Sequence, residues 1–162
     1  MKVSDLLVEC LKAEGVEYVF GLPGEELEDV LFSLRDSDIQ FVPVRHEQGA
    51  AFMADVYGRL TSDAGVCLST LGPGATNLLT GVADAHLDKS PLVAITGQGG
   101  RERLHQESHQ MLDIVDMFEP ITKWNARLDY PDSVHESVRK AFKFAEYEKP
   151  GATHLEFPED VA

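Results

Sequence analysis

Six short apolar runs alternate with helical patterns along the chain, and this alternation limits the possible folds more than any other feature. The predicted strands are the runs VEYVF, IQFVPV, GVCLST, PLVAIT, ITKWNA and ATHLEF. Apolar strands joined by helices of about 10 to 15 residues are typical of a parallel sheet covered on both faces, with right-handed crossovers. The sequence therefore predicts a doubly wound α/β fold around a six-stranded, mainly parallel sheet.

The predicted helices follow from apolar residues at helical spacing. The first lies in SDLLVECLKAEG, with Ser4 or Asp5 as the expected N-cap and Gly15 as the expected stop. The other helices are expected at about residues 24–37, 47–60, 75–87, 111–118 and 133–147.

The size and composition fit one soluble globular domain. A chain of 162 residues, 43% hydrophobic and 26% charged, can bury a core of its own. No apolar run approaches the roughly 20 residues that a membrane-spanning helix needs, and the N-terminal segment lacks the pattern of a secretory signal. We therefore expect a single domain over residues 1–162, in a soluble protein of the cytoplasm.

Charge and cysteine usage exclude several function classes. The chain has 28 Asp and Glu against 14 Lys and Arg, a net charge of −14. A surface of this sign repels nucleic acid and anionic lipid, so neither nucleic acid nor a membrane is an expected partner. Cys10 and Cys67 lack a metal-type spacing and lie among apolar residues, so both are predicted to be buried thiols.

Ligands of an open parallel sheet bind beyond the carboxyl ends of the strands, so functional residues are expected in the segments that follow each strand. Four such segments stand out: GLPGEE, RHEQG, TLGPGATN and TGQGG. Gly72, Pro73 and Gly74 form a tight turn before a helix, where backbone N–H groups and Asn77 could meet a ligand. A plain strand-to-helix turn explains the same residues. Neither GxGxxG nor GxxxxGK[ST] is present, so the common dinucleotide and phosphate cradles are missing.

Glu47 has two interpretations from the residues alone. It stands in the first turn of a predicted helix, where the helix dipole favours an acid for structural reasons. The helix that follows, GAAFMADVYGRL, is rich in small residues, and close packing against them would remove water from the carboxylate. A carboxylate deprived of water can exchange a proton near neutral pH, which is the chemistry of a general acid or base.

Several strings occur together in the order known from one enzyme family. They are GVEYVFGLPG, RHEQGAAFMADVYGR, STLGPGATN, PLVAITGQ, ITKW and KPGATHLEFPEDV. Over essentially its whole length the chain resembles the N-terminal pyrimidine-binding (PYR) domain of thiamine diphosphate enzymes, in the acetolactate synthase and pyruvate oxidase branch. The pair His109-Gln110 within RLHQESHQMLDIVDMFEPITKW is most similar to the catabolic acetolactate synthases.

The resemblance implies a catalytic role for Glu47. In the family, the matching glutamate hydrogen-bonds N1′ of the cofactor aminopyrimidine and favours its imino tautomer, so that the exocyclic nitrogen can take the proton from the thiazolium C2. The activated cofactor attacks a 2-keto acid, for which the resemblance implies pyruvate, and the carbanion left after decarboxylation passes to an acceptor. The resemblance thus implies a transferase or lyase that this segment alone would not complete.

The resemblance also implies the other site residues. Contacts to the pyrimidine are expected from Pro23, Gly24, Glu47, Thr70, Pro73 and Asn77, and Gln110 is expected in the substrate pocket. An ordinary turn at Pro23-Gly24 and a solvated helix position at Gln110 are the structural alternatives. Gln98 is not expected to contact the cofactor, because GQGG departs from the apolar residue that usually follows this glutamine in the family.

No metal site is predicted in this chain. His46, His105 and His109 do not have a metal-ligand spacing, and His46 is expected to orient the start of its helix. In the family, Mg²⁺ is held by a separate pyrophosphate-binding (PP) domain with a Gly-Asp-Gly…Asn motif, which does not occur here. The matching strings do not indicate whether the enzyme binds FAD.

The resemblance implies partners. The cofactor lies between this domain and the PP domain of a second subunit, so we expect the N-terminal part of a longer enzyme in a homodimer or homotetramer. The small-residue face of the helix at 49–60 is the predicted dimer contact. Two alternatives remain: a non-catalytic α/β binding or regulatory module, which would not need Glu47, and a dinucleotide-binding oxidoreductase domain, which the missing GxGxxG disfavours.

Overall fold

The computed structural model describes residues 2–104 and 106–162. The strands are β1 (Tyr18–Gly21), β2 (Gln40–Pro43), β3 (Gly65–Ser69), β4 (Leu92–Gln98), β5 (Trp124–Arg127) and β6 (Ala152–Pro158). The α-helices are α1 (Val3–Ala13), α2 (Glu28–Arg35), α3 (Glu47–Thr61), α4 (Pro73–Asp88), α5 (Ile114–Phe118) and α6 (Val134–Glu146). Short 3₁₀ turns lie at Glu25–Leu27, Arg101–Arg103, Glu119–Ile121 and Pro131–Ser133.

The six strands form one sheet in the order β2-β1-β3-β4-β6-β5, and every neighbouring pair is parallel. The predicted doubly wound α/β fold is therefore confirmed, with a fully parallel sheet. Because β1 lies between β2 and β3, the chain crosses the sheet in opposite directions on leaving β1 and on leaving β2. Such a reversal opens a crevice beyond the carboxyl ends of β1 and β3.

The sheet separates two apolar cores. Helices α1, α2 and α6 cover one face, and α3, α4 and α5 cover the other. Successive side chains of a strand point to opposite faces, so β3 contributes Val66 and Leu68 to the first core and Cys67 to the second. In the same way β6 contributes Leu155 to the first core and Ala152 to the second. Covering both faces explains why the central strands read as continuous apolar runs.

Helices α3 and α4 approach each other through small residues. A methyl group in place of the Gly81 hydrogen would lie 2.6 Å from Ala51 Cβ, and Ala50, Ala51 and Ala54 are fully buried inside the domain. The prediction that this small-residue face of α3 forms the dimer contact is therefore wrong. It packs against α4 and the sheet, and the exposed apolar residues of α3 are Met53, Val56 and Leu60.

Some of the observed helix boundaries differ from the predicted ones. Helix α1 begins at Val3 after Lys2, so the prediction of Ser4 or Asp5 as N-cap is wrong; the Asp5 carboxylate instead accepts from the Lys2 N–H at 2.9 Å. The predicted stop is confirmed, since Gly15 follows the helix with a φ of +83°. Helix α2 is preceded by a 3₁₀ turn, α4 begins at Pro73, and the predicted helix at 111–118 is reduced to α5.

The two cysteines differ in burial. Cys67 is fully buried, and burial raises the pKa of its thiol to about 12, whereas Cys10 is only half-buried. The prediction of two buried thiols is therefore correct for Cys67 alone. In the part of the chain that the structure describes, no helix is long and apolar enough to cross a membrane.

Candidate functional site

The segments that follow β1, β2 and β3 meet at one edge of the sheet, beside the crevice. Two backbone hydrogen bonds extend the sheet beyond the strand ends: the Val44 N–H donates to the Gly21 carbonyl at 2.9 Å, and the Leu22 N–H donates to the Leu68 carbonyl at 3.3 Å. Gly21 itself lies so close to β3 that an added methyl group would be 2.6 Å from the Leu68 carbonyl oxygen. The loops after the strands therefore leave the sheet from fixed starting points.

Glu47 is held at the first turn of α3 and is only 6% exposed. The N-cap is His46, whose Nδ1 accepts from the Gln48 N–H at 3.2 Å, as predicted for a residue that orients the helix start. The Asn77 side-chain amide, one turn into α4, donates to Glu47 Oε2 at 2.9 Å. Two helix starts thus fix one buried carboxylate at the edge of the crevice.

The second carboxylate oxygen of Glu47 faces the glycine turn. A methyl group in place of the Gly74 hydrogen would lie 3.3 Å from Glu47 Oε1 and 2.8 Å from Thr70 Cγ2. Among the described residues, no hydrogen bond to Oε1 is found. Oε1 is not among the fully enclosed side-chain atoms without a partner, so it stays open to the crevice and can accept a hydrogen bond from a ring N–H or an amino group.

Thr70 connects the turn after β1 to the turn after β3. A side chain at Gly24 would overlap the Thr70 side chain, so Thr70 packs directly against the Gly24 backbone. The Thr70 hydroxyl donates a hydrogen bond to the Glu26 carboxylate. Sequence reasoning named Gly74 only as part of the turn and did not single out Glu26; Glu26 lies in the GLPGEE segment after β1, and the argument that pointed to Glu47 after β2 would also have pointed to it.

The segment that contains Gln110 packs against the turn at Gly72. Gly72 has a φ of +53°, and an added methyl group would lie 2.5 Å from the Gln110 carbonyl oxygen and 2.8 Å from its Cβ. Gln110 is exposed and also has a positive φ, +56°. The predicted substrate-pocket residue therefore lies directly over the predicted cofactor turn.

The two predicted prolines are exposed at the same edge. Pro73 is the first residue of α4, a position where its fixed φ suits the helix and its missing N–H is not needed. Pro23 precedes Gly24 in the turn after β1. The structure thus brings all the predicted residues to one crevice: Pro23, Gly24, Glu47, Thr70, Pro73, Asn77 and Gln110.

Gln98 lies at the end of β4 and is fully buried. Its amide donates to Glu156 Oε2 and to the Leu112 carbonyl, each at 2.9 Å. Burial raises the pKa of Glu156, while the Arg127 guanidinium and the Gln98 amide act in the opposite direction. The exclusion of Gln98 from the cofactor contacts remains a prediction, but the residue has a structural partner set of its own.

Over residues 2–104 and 106–162, no group of three or more His, Cys, Asp or Glu side chains is arranged to hold a metal ion. His46 is engaged at its helix start, and His109 is exposed. His105, the third histidine considered for a metal site, lies outside the described residues.

Comparison with known proteins shows the family of the chain. Residues 1–117 match the family described as thiamine pyrophosphate enzyme, N-terminal TPP binding domain. The chain belongs to this family, as an N-terminal TPP-binding domain of the acetolactate synthase type.

Three curated relatives place the chain more closely. It is 42% identical over 161 residues to a probable acetolactate synthase large subunit of Methanocaldococcus jannaschii, covering 99% of this chain and 27% of the relative. It is 44% identical to the catabolic acetolactate synthase of Raoultella terrigena and 41% identical to the acetolactate synthase of Bacillus subtilis, in each case over 98% of this chain and 28% of the relative. The chain thus spans little more than a quarter of the length of these relatives.

Proposed function

We propose that the chain is the cofactor-activating part of an enzyme that decarboxylates a 2-keto acid, pyruvate, and transfers the resulting carbanion to an acceptor, as an acetolactate synthase does. The observation that carries this proposal is the Glu47 carboxylate, which is buried and fixed by Asn77 through one oxygen while the other oxygen faces a glycine-lined crevice. The relatives named acetolactate synthase support the reaction type.

The residues of the crevice fit the pyrimidine end of thiamine diphosphate. When bound, the cofactor supplies a carbon nucleophile and accepts the electron pair released as CO₂ leaves. Glu47 would hold this end of the cofactor: as a carboxylic acid it would give its proton to the ring nitrogen, and as the resulting carboxylate it would accept a hydrogen bond from the ring N–H, which would favour the imino tautomer. The burial of Glu47 keeps water from competing for that proton.

The remaining residues bind and orient. Asn77 orients the Glu47 carboxyl group, and Gly24, Thr70, Pro23 and Pro73 would contact the pyrimidine ring from the turns that follow β1 and β3. Gln110, which lies over the Gly72 turn, faces the side from which the 2-keto acid approaches. Binding in a fixed geometry is the main contribution of such residues to the rate.

The diphosphate end and its Mg²⁺ belong, in this proposal, to a PP domain of a second subunit in a cytoplasmic homodimer or homotetramer. Two observations support a separate site. The chain spans 27% to 28% of the relatives in question, and its net charge of −14 is unsuited to holding a diphosphate without a cation.

The test is proton exchange at C2 of thiamine diphosphate, followed by NMR in D₂O with the full natural polypeptide that contains this chain. Glu47→Gln should abolish the accelerated exchange because the amide cannot share the ring proton, while circular dichroism and the melting temperature stay close to wild type. Glu136→Gln, at an exposed position of α6, is the matched control and should exchange like wild type. Near-normal exchange in Glu47→Gln would overturn the proposal.

A further inference from the structure

A buried polar pair lies beside the crevice without belonging to the proposed cofactor contacts. Gln98 on β4 and Glu156 on β6 are both fully buried, and Gln98 Nε2 donates to Glu156 Oε2 at 2.9 Å. The same nitrogen donates to the Leu112 carbonyl at 2.9 Å, and Gln98 Oε1 accepts from the Gly99 N–H at 3.1 Å. The amide therefore has partners on both its nitrogen and its oxygen, which fixes its orientation.

Glu156 is held from the opposite side by Arg127 on β5, whose guanidinium forms an ion pair with the other carboxylate oxygen. A buried carboxylate persists as an ion only when charge and hydrogen bonds compensate its lost hydration. The two partners on the two oxygens leave Glu156 little freedom to rotate. Three neighbouring strands, β4, β5 and β6, thus fix the Gln98 amide.

The Gln98 amide also contacts the segment that contains Gln110. Leu112, whose carbonyl Gln98 binds, comes two residues after Gln110, and Met111 Sδ would lie 2.7 Å from a methyl group added at Gly99. Gln110 has the left-handed φ of +56°, a conformation that non-glycine residues hold only when their surroundings impose it. The Gln98 amide and the Gly99 surface are the anchors on one side of Gln110, and the Gly72 turn is the contact on the other.

We propose that Gln98 is a positioning residue: through the Leu112 carbonyl it holds the Gln110 segment against the Gly72 turn, and Glu156 keeps the Gln98 amide in place. The consequence for the reaction rests on the proposed function, because it acts through Gln110 as a substrate-side residue. Without the amide, the Leu112 carbonyl loses its sheet-side donor, and the segment can leave the turn.

The first experiment tests the structural half of the proposal in the full natural polypeptide. Gln98→Met keeps the length and volume of the side chain but removes the amide. Hydrogen exchange followed by mass spectrometry should be about tenfold faster in peptides covering 106–113, the effect of losing one hydrogen bond. Thr153→Val is the matched control, because Thr153 is buried on the same sheet but donates to the Ala141 carbonyl on the other face. It should leave exchange at 106–113 unchanged.

The second experiment tests whether Gln98 acts through Gln110. Gln98→Met should raise KM for pyruvate about tenfold while C2 proton exchange stays normal, since Glu47 is not disturbed. The double variant Gln98→Met/Gln110→Ala should be no worse than Gln110→Ala alone. If Gln98→Met does not fold, Gln98→Met/Glu156→Gln, which also removes the buried charge, carries the same comparisons.

Two results would overturn the positioning role: unchanged hydrogen exchange at 106–113, or kinetic losses of Gln98→Met and Gln110→Ala that simply add. Failure of the proposed function has a different signature, namely normal C2 proton exchange in Glu47→Gln. That measurement does not depend on Gln98 or Gln110, so the two failures are distinguishable.

Discussion

Asn77 links the starts of α3 and α4 in the candidate site. Its amide, one turn into α4, donates to Oε2 of Glu47, the first residue of α3, at 2.9 Å. The amide thus fixes the orientation of the carboxyl group through one of its two oxygens. Removing this donor leaves the carboxylate free to turn away from the crevice.

We therefore expect Asn77→Ala to weaken thiamine diphosphate binding about tenfold, while the melting temperature falls by only a few degrees. Asn125→Ala is the matched control. Asn125 donates to the Val115 carbonyl at 2.5 Å on β5, away from the crevice, so this variant should lower the melting temperature without changing the affinity. Titration calorimetry and thermal melting measure the two effects. The reverse ranking for Asn77→Ala would mean that the residue serves the fold rather than the cofactor.

Sequence reasoning found Glu47 and Asn77 because they stand at fixed distances from recognisable strand ends and glycines. It missed Gly74 as the neighbour of Glu47 Oε1, and it missed the pairing of Gln98 with Glu156. These contacts join residues that are distant in the sequence. Whether such residues meet depends on the order of the strands in the sheet. Periodicity within one element carries no information about such neighbours.

At the scale of elements, the seam between α3 and α4 decides where the site residues lie. A methyl group at Gly81 would sit 2.6 Å from Ala51 Cβ and 3.1 Å from the Phe52 nitrogen. The two helices cannot separate at this point without moving Glu47 relative to Asn77. The sequence predicted both helices, but the small residues of α3 were assigned to a subunit interface. The spacing of small residues identifies the helix face they share and does not identify the element that packs against that face.

We expect Gly81→Ala to lower the free energy of unfolding by about 1–3 kcal/mol, since a methyl group is forced into a packed seam. Gly49→Ala is the contrasting variant on α3. No atom lies within 4 Å of an added methyl group there, so the gain in helix propensity should raise stability by about 0.5–1 kcal/mol. Urea denaturation of the two variants beside wild type measures both effects. Equal and small changes would show that the seam is not tightly packed.

At the scale of the whole molecule, the buried ionisable groups set how the fold responds to acid. His154 lies on β6 and is fully buried, stacked on Phe118 with 4.0 Å between ring centroids, and its Nε2 is 2.8 Å from Thr96 Oγ1. Burial lowers its pKa from 6.5 to about 3. The folded protein therefore keeps His154 neutral over a range in which the unfolded chain takes up a proton.

Because the pKa in the folded state is the lower one, the stabilisation is complete above pH 6.5 and is lost as the pH falls from 6.5 toward 3. At pH 5 the loss from this residue is about 2 kcal/mol, at 1.36 kcal/mol for each pH unit. His154→Gln, which cannot be protonated, should show a smaller drop in unfolding free energy between pH 7 and pH 5 than wild type. His135→Gln, at an exposed position, should not alter the drop. Identical drops in wild type and His154→Gln would contradict the argument.

The tight seam between α3 and α4 also has a consequence for how this domain tolerates change over many generations. Ala51 and Gly81 are already the two smallest residue types, and nearly every substitution at these positions adds atoms to the seam. A mutational scan for loss of function should therefore find substitutions as poorly tolerated along this seam as at the crevice, although the seam contains none of the proposed cofactor contacts. Substitutions should be better tolerated on the outer helical faces, such as that of α3, where Met53, Val56 and Leu60 are exposed.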